Sequence, residues 1–422
     1  MVTSVVGLNW GDEGKGRMVD YFAKQADCVI RYQGGDNAGH TVVNDLGKFA
    51  FHNFPSGVCY PKVINIIASG SVVAPDSFLH ELAEVEKNGL KVENIFISDR
   101  AIFIMPYAKV LEKLEEQRLK DKKYGSTMSG IAPTYGYKYL KKGIQAGELF
   151  YPEYLKEHIK DIVDYTNLLI EGGYNAPPID SDKMYNYLIE TGEKLKPYIV
   201  NTKTMVDKLL DEGKNIIVEA QLGALRDITH GIYPYTTSSS TLSGYACSSI
   251  PIPPSSIKNI VGITKAYSTC VGEGPFTTEL FGEIADEIRE IGHEYGAKTG
   301  RPRRIGYFDA VATRYGCRLQ GATEMTVTCL DVLSGQKKLK ICTGYDINGK
   351  ITEHFPINCT LNDAKPVYIT LDGWDEDITS ARTFEELPIN AQIYIEKLHE
   401  LCGVKISYVS VGPKREALIK MK

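Results

Sequence analysis

The segment Gly7-Leu8-Asn9-Trp10-Gly11-Asp12-Glu13-Gly14-Lys15-Gly16 most limits what this chain can become. An apolar run, Val2 to Val6, precedes it, and a stretch with Met18, Val19, Tyr21 and Phe22 apolar follows. That order predicts strand, glycine-rich turn, helix. Four glycines in ten residues let the backbone approach a ligand closely. A helix N-terminus there offers free N–H groups to an anion. Lys15 adds a point charge for a phosphate. The segment is not a Walker A loop: Asn9 stands where that pattern needs glycine, and Gly16 where it needs Ser or Thr. It also carries adjacent carboxylates, Asp12 and Glu13, which a bare phosphate cradle would avoid. Those acids need a cation or a proton to handle.

Further units of the same kind follow. Cys28–Tyr32 and Val63–Ala68 read as strands, and Gln33 to Thr41 between them is glycine-rich. Strands alternating with helices predict an α/β fold with a large, mostly parallel central sheet and ligands at the carboxyl ends of its strands. Asp76 reads as the N-cap of a helix over 77–87, and 107–120 reads as a second helix. The stretch 124–133 reads as a loop. Residues 150–212 are charged, rich in Tyr and Leu, and predict a helical insertion within a single domain spanning 1–422. A helix over 282–295 would bury Ile284, Ile288 and Ile291.

Net charge is -5 for 422 residues, which argues against a nucleic-acid or membrane surface. Nine scattered cysteines with no C-x-x-C pair read as reduced thiols in a cytoplasmic protein. The first residues do not read as a secretory leader, and no apolar run is long enough to cross a membrane.

Several constellations carry chemistry. His40, flanked by Gly34, Gly35 and Gly39 in a predicted loop, would be open to a ligand for proton transfer or phosphate contact. Asn37 can donate and accept. Arg301, Arg303 and Arg304 follow Thr299-Gly300 in one turn flanked by glycines at 296 and 300, and guanidinium forks suit carboxylates and phosphates. Asp331, after a predicted strand 325–330, can accept two N–H bonds from a guanine edge. Ser410-Val411-Gly412-Pro413 is a turn that could wrap a base or ribose.

Together these segments resemble the adenylosuccinate synthetase family nearly end to end. Trp10 to Gly16 is the most specific element. Asn37-Ala38-Gly39-His40-Thr41, Lys265-Ala266-Tyr267, Thr299-Gly300-Arg301, Leu330-Asp331 and Ser410-Val411-Gly412 support it. The resemblance implies a GTP-dependent ligase that joins L-aspartate to C6 of IMP through 6-phosphoryl-IMP. Asp12 would be the base at N1 of IMP, His40 the general acid, and Lys15 a phosphoryl holder. Asp12 and the Gly39 carbonyl would bind Mg²⁺. GTP would meet Gly11, Asp12, Glu13, Gly14, Lys15, Gly16, Gly39, His40, Thr41 and Arg303, then Cys329, Leu330, Asp331, Ser410, Val411 and Gly412. IMP would meet Asp12, Asn37, Ala38, Thr127, Lys141, Gln221, Thr237 and Arg301. Aspartate would meet Ala297, Lys298, Thr299, Gly300, Arg301 and Arg303.

The family's homodimer shares a phosphate-binding arginine across subunits, and Lys141 takes that place. The chain also departs from the family at Asp36, Lys298 and Cys329. In the family's Glu-Gly-Ala-Gln-Gly motif it reads Glu219 to Gly223, with Leu222 at the glutamine unless the backbone shifts to bring Gln221 there. Two other readings fit the altered loops: a relative acting on a guanylate, and a non-catalytic GTP-binding regulator.

Overall fold

The computed structural model describes residues 1–37, 39–44, 47–296 and 300–421. Among them, ten strands form the central sheet. In chain order they are β1 (Val2–Gly7), β2 (Cys28–Arg31), β3 (Ile64–Ile67), β4 (Ile95–Ser98), β5 (Ile199–Val200), β6 (Ile216–Gly223), β7 (Ile257–Lys265), β8 (Glu324–Thr328), β9 (Ile406–Ser410) and β10 (Leu418–Lys420). Across the sheet they run β10-β9-β8-β7-β1-β6-β2-β3-β4-β5. All neighbours are parallel except β9 and β10.

A parallel sheet needs cover on both faces, so its strands read as unbroken apolar runs. Val5, Val6, Ile30, Ile66, Val218, Val261 and Ile263 are accordingly buried. From β1 the early strands spread to one side and β7, β8 and β9 to the other. The order therefore reverses next to β1, and such a switch point opens a crevice at the strands' carboxyl ends. The loop after β1 leaves into that crevice.

Helix α1 (Lys15–Ala23) follows that loop directly. Helix α2 spans Pro75–Lys87 with Ala74 at the N-cap and Pro75 at N1. Asp76 is thus a first-turn residue, not the expected cap, because Pro75, whose fixed φ suits the first helical position, starts the helix two residues earlier. Helix α3 spans Pro106–Leu119, and α4 (Ile131–Tyr139) begins inside the stretch expected to be loop as far as Pro133. Gly130, at φ 77°, caps it with a conformation only glycine adopts freely.

In the region expected to be a helical insertion, α5 (Pro152–Tyr174) and α6 (Ser181–Leu195) pack on α2 and α3. The difference is at Ile199–Val200, which add β5 to the sheet edge. The helix expected over 282–295 ends at Ile291; Ile288 is buried, while Ile284 and Ile291 are 43% and 48% exposed. Gly292 and a turn stop it before the loop leading to Arg301. No described helix is long and apolar enough to cross a membrane.

Candidate active site

The loop after β1 is shaped from inside by Glu13. Its Oε1 accepts from the backbone N–H groups of Asn9 (3.2 Å) and Gly11 (2.8 Å), and its Oε2 pairs with Lys15 Nζ at 2.7 Å. Both side chains are buried. A Cβ at Gly7 would stand 2.6 Å from the Glu13 carboxylate and 2.5 Å from the Leu222 carbonyl, so glycine is required there. Asn9 and Thr328 tie the loop to β7 and β8: Thr264 Oγ1 donates to Asn9 Oδ1 (2.7 Å), and Thr328 Oγ1 donates to the Glu13 carbonyl (2.7 Å). The two adjacent acids therefore divide. Glu13 braces the turn, and Asp12, at φ 59°, is swung the other way into a cavity of about 870 Å³.

Gly11, Asn37, Gly39, Thr127, Leu222 and Thr237 line the same cavity. Asn37 Oδ1 and Thr237 Oγ1 are buried and have no protein partner. A polar atom buried that way costs free energy unless a ligand or water satisfies it.

Asp12 Oδ2 accepts from Arg303 Nε at 3.0 Å. Burial raises the Asp12 carboxyl, but Arg303, then Lys265, Lys15 and His40, more than reverse this and hold it below its ordinary value. Arg303 also pairs through its other arm with Glu294. Glu294 in turn accepts twice from Lys265 Nζ (2.6 and 2.7 Å) and once from the Tyr267 hydroxyl. The result is an alternating chain, Lys265–Glu294–Arg303–Asp12, at the root of the arginine turn. Burial raises the Glu294 carboxyl, and Lys265 and Arg303 bring it below its usual range.

The three arginines separate by role. Arg303 reaches Asp12, and Arg301 is exposed. Arg304 is fixed as structure: its fork meets both oxygens of Glu279 (2.7 and 2.5 Å), and it donates to the Gly274 carbonyl at 2.8 Å.

His40 differs from the expectation of an open loop residue. It is the first residue of a hairpin strand, His40–Asn44, paired with Gly47–Phe51, and is 7% exposed. It packs beside the first turn of α1, where a Cβ at Gly16 would lie 2.8 Å from its own Cβ. Its Nδ1 faces Glu219 Oε1, while Nε2 is buried without a partner. Burial pushes the imidazole below its ordinary value, with Glu219 pulling the other way. For Glu219 burial acts upward, and His40 and Arg31 bring its carboxyl below the usual range.

Gln221 is corrected. Its side chain is fully buried and turned away from the cavity, with Nε2 donating to the Gly35 carbonyl (2.8 Å) and Oε1 accepting from Gly35 N (3.1 Å). Leu222, at φ 62°, puts its side chain in the cavity wall instead. No one-residue shift occurs, because Glu219 is already held by His40 and Ser56.

Leu330 and Asp331, in the turn that Cys329 leads into after β8, lie against β9, whose last residue Ser410 donates to the Gly412 carbonyl. Arg17 joins them: it donates to Ser410 Oγ and to the Ala417 carbonyl (2.8 Å), and its charge acts on Cys329 and Asp331. Burial raises the Asp331 carboxyl against Arg17, and its Oδ1 has no partner. Leu330 and Val411 have core side chains, which leaves only their backbone for a ligand. Lys141 is exposed just after α4, outside the cavity lining. Ala38, Ala297, Lys298 and Thr299, and the side chain of Thr41, lie outside the described residues.

Glu219, Glu294, Lys265, Ser56 and Arg17 were not singled out for roles by sequence reasoning. One signal was available: Glu219 is a charge inside an otherwise apolar run, Ile216–Ala220, and a charge in a strand buried on both faces must be paired.

Residues 4–419 match the family model described as adenylosuccinate synthetase. Adenylosuccinate synthetases from Dehalococcoides mccartyi and Lactococcus lactis are each 44% identical to this chain, over 99% and 98% of it and 99% and 96% of their own lengths. The structure of a fully ligated adenylosuccinate synthetase from Plasmodium falciparum superposes with a TM-score of 0.94 at 33% identity, over all of both chains. A cyanophage S-2L succinoaminodeoxyadenylate synthetase, bound to dGMP and dATP, is similar in fold alone, with a TM-score of 0.62 and 16% identity over 99% of this chain and 95% of that one.

Proposed function

The chain belongs to the adenylosuccinate synthetase family, and from that membership we propose how its own residues carry the family's reaction. The enzyme is a GTP-dependent ligase that joins L-aspartate to IMP, giving adenylosuccinate, GDP and phosphate. Oxide cannot leave C6 directly, so O6 must first become a phosphate ester. Asp12, kept ionised by Arg303, takes the N1 proton, and the electron density moves to O6. That oxygen attacks the γ-phosphorus of GTP, and GDP departs. The amine of aspartate then attacks C6, loses a proton, and phosphate leaves.

Positioning and charge neutralisation carry phosphoryl transfer. Lys15 and the backbone N–H groups of the first turn of α1 sit where a helix N-terminus receives an anion. His40 delivers a proton or a hydrogen bond to the phosphate bridge. Asp331, with a bare buried oxygen, reads the guanine edge, and Ser410 and Gly412 border it. Asn37, Thr127 and Thr237 hold IMP. Arg303, Arg301 and the turn before them take aspartate.

Asp12 and Gly39, which would offer a carboxylate and a backbone carbonyl, both line the cavity. Two hard oxygen donors completed by substrate phosphates suit Mg²⁺, which needs no protein cage, and no cluster of three acidic, His or Cys ligands occurs among the described residues. Bound there, Mg²⁺ would neutralise charge on the phosphates.

One observation carries the reading: Asp12, Asn37, Thr127 and Thr237, far apart in the chain, converge on one cavity. Purified enzyme offered IMP, GMP and dGMP at equal concentration with GTP, Mg²⁺ and aspartate should succinylate IMP alone. Preference for a guanylate, or GTP binding with no phosphate release, would overturn it.

Arg303→Leu should raise the KM for aspartate about 30-fold or more, the loss of a buried charge pair worth about 2 kcal/mol or more. The IMP KM should stay within about threefold, well under the 1.4 kcal/mol that marks a factor of ten. An unchanged aspartate KM would remove Arg303 from that role.

We also propose that the working unit is a dimer, in which Lys141 meets the IMP phosphate of the second copy. Tyr139 and Leu140, 69% and 56% exposed, stand next to it, and large exposed apolar side chains mark contact surfaces. Sedimentation with IMP should give a dimer, and a monomer throughout would refute the sharing.

A further inference from the structure

The proton donor of this site is held by a carboxylate to which no role has been given. Glu219 lies in the interior of β6 and is fully buried. Every oxygen it has is committed. Ser56 N donates to Oε2 at 2.8 Å, Ser56 Oγ donates to Oε1 at 2.6 Å, and His40 Nδ1 faces Oε1 as well. Its charge is met by Arg31, its register partner on β2 and itself 2% exposed. Arg31 and Lys15 face His40 from β2 and α1, and Asp12 faces it from the loop. The segment carrying Ser56 is also pinned. Glu81 of α2 accepts from the backbone N–H groups of His52 (3.0 Å), Asn53 (2.8 Å) and Phe54 (3.2 Å).

We propose that Glu219 is the positioning residue for His40, taking the Nδ1–H and so fixing the rotation and tautomer of the ring. Ser56 can only donate through its backbone N, and Glu219 between the two can only accept. The proton on the near side of the ring therefore belongs to Nδ1. Nε2, buried and without a partner, is then the nitrogen that meets the phosphate bridge. The carboxylate balances the ring's charge when Nε2 carries the proton it delivers. Gly16 supplies the remaining constraint, since only a glycine there lets the ring lie against the first turn of α1, where the phosphates arrive. Carboxylate, imidazole and reacting group in line is the logic of acid–base triads, here on a phosphoryl-transfer site.

The inference rests on the reading of His40 as proton donor, and the test separates the two. Glu219→Gln is nearly isosteric. The N–H of Ser56 obliges the new amide to put its oxygen there and its NH₂ against Nδ1, which turns the tautomer over. We expect kcat to fall about 100-fold, as for a general acid presented wrongly, with the KM for IMP and GTP changed less than about threefold, under 1.4 kcal/mol. Nitrogen NMR of histidine-labelled enzyme, with the His40 signal identified by its loss in His40→Asn, should show Nδ1 protonated in the parent and Nε2 protonated in Glu219→Gln. A merely structural Glu219 would move stability or KM and leave the tautomer alone. If His40→Asn keeps full kcat, the reading of His40 fails. If His40→Asn is inactive while Glu219→Gln keeps full kcat, or loses it with the tautomer unchanged, the positioning role fails. A parent enzyme whose His40 is protonated on Nε2 alone would overturn it without any Glu219 variant.

Discussion

Asp12→Asn should lower turnover at least about 1,000-fold, within the span that a lost general base removes. The change keeps the shape and the left-handed backbone of the loop, since Asn tolerates positive φ as well as Asp. It removes the charge. An amide has no capacity to take the N1 proton at neutral pH, and it is a poorer ligand for a hard cation. The ion pair with Arg303 also weakens, so the Lys265–Glu294–Arg303 chain loses its last member. IMP should still bind, because Asn37, Thr127 and Thr237 are untouched. Titration calorimetry should find its Kd within about tenfold of the parent, or about 1.4 kcal/mol. Turnover within tenfold of the parent would mean that another group takes the proton.

Lys15→Met should cost both stability and activity, and the two losses can be pulled apart. The Lys15–Glu13 pair is buried, and removing one partner strands the other. The penalty for an uncompensated buried charge is about 3–5 kcal/mol. Denaturant midpoints should fall accordingly, and phosphoryl transfer should be lost with the ammonium group. In the double variant Glu13→Gln, Lys15→Met, the amide oxygen can still accept from Asn9 and Gly11. That variant should recover most of the stability and none of the turnover. If Lys15→Met is as stable as the parent, the pair is not a structural brace. If the double variant regains turnover, the charge is not needed on the phosphate.

Much of the fold was legible because periodicity and punctuation agreed. Val2 to Val6, Cys28 to Arg31 and Ile64 to Ile67 are short apolar runs ended by glycine-rich turns, and all became parallel strands buried on both faces. Where the reading went astray, packing outweighed local pattern. Ile284 and Ile291 fit a helical stripe, yet only Ile288 meets the core, because the helix lies on it by a narrow edge. His40 follows a glycine and so looked like loop. The hairpin partner Gly47–Phe51 makes it a strand residue, and no local signal announces a partner across a turn. Gln221 and Leu222 alternate on a strand, and only the pinning of Glu219 decides which of them faces the cavity.

The sequence by itself determined the chemistry available: a glycine-rich turn ending at a helix N-terminus, an acid and a lysine within it, a histidine after a second such turn, and a guanidinium-rich turn far downstream. These follow from covalent identity and short-range spacing, which tertiary structure cannot change. The tertiary structure decided how the two acids of the first turn divide, Glu13 inward to Lys15 and Asp12 outward to Arg303. It also set His40 against Glu219, and it fixed Arg304 to Glu279 while turning Arg303 to Asp12. Those outcomes depend on which strand lies beside which, and on what each buried charge finds within about 3 Å to satisfy it. Partners that sit hundreds of residues apart in the chain meet only when β6 inserts between β1 and β2.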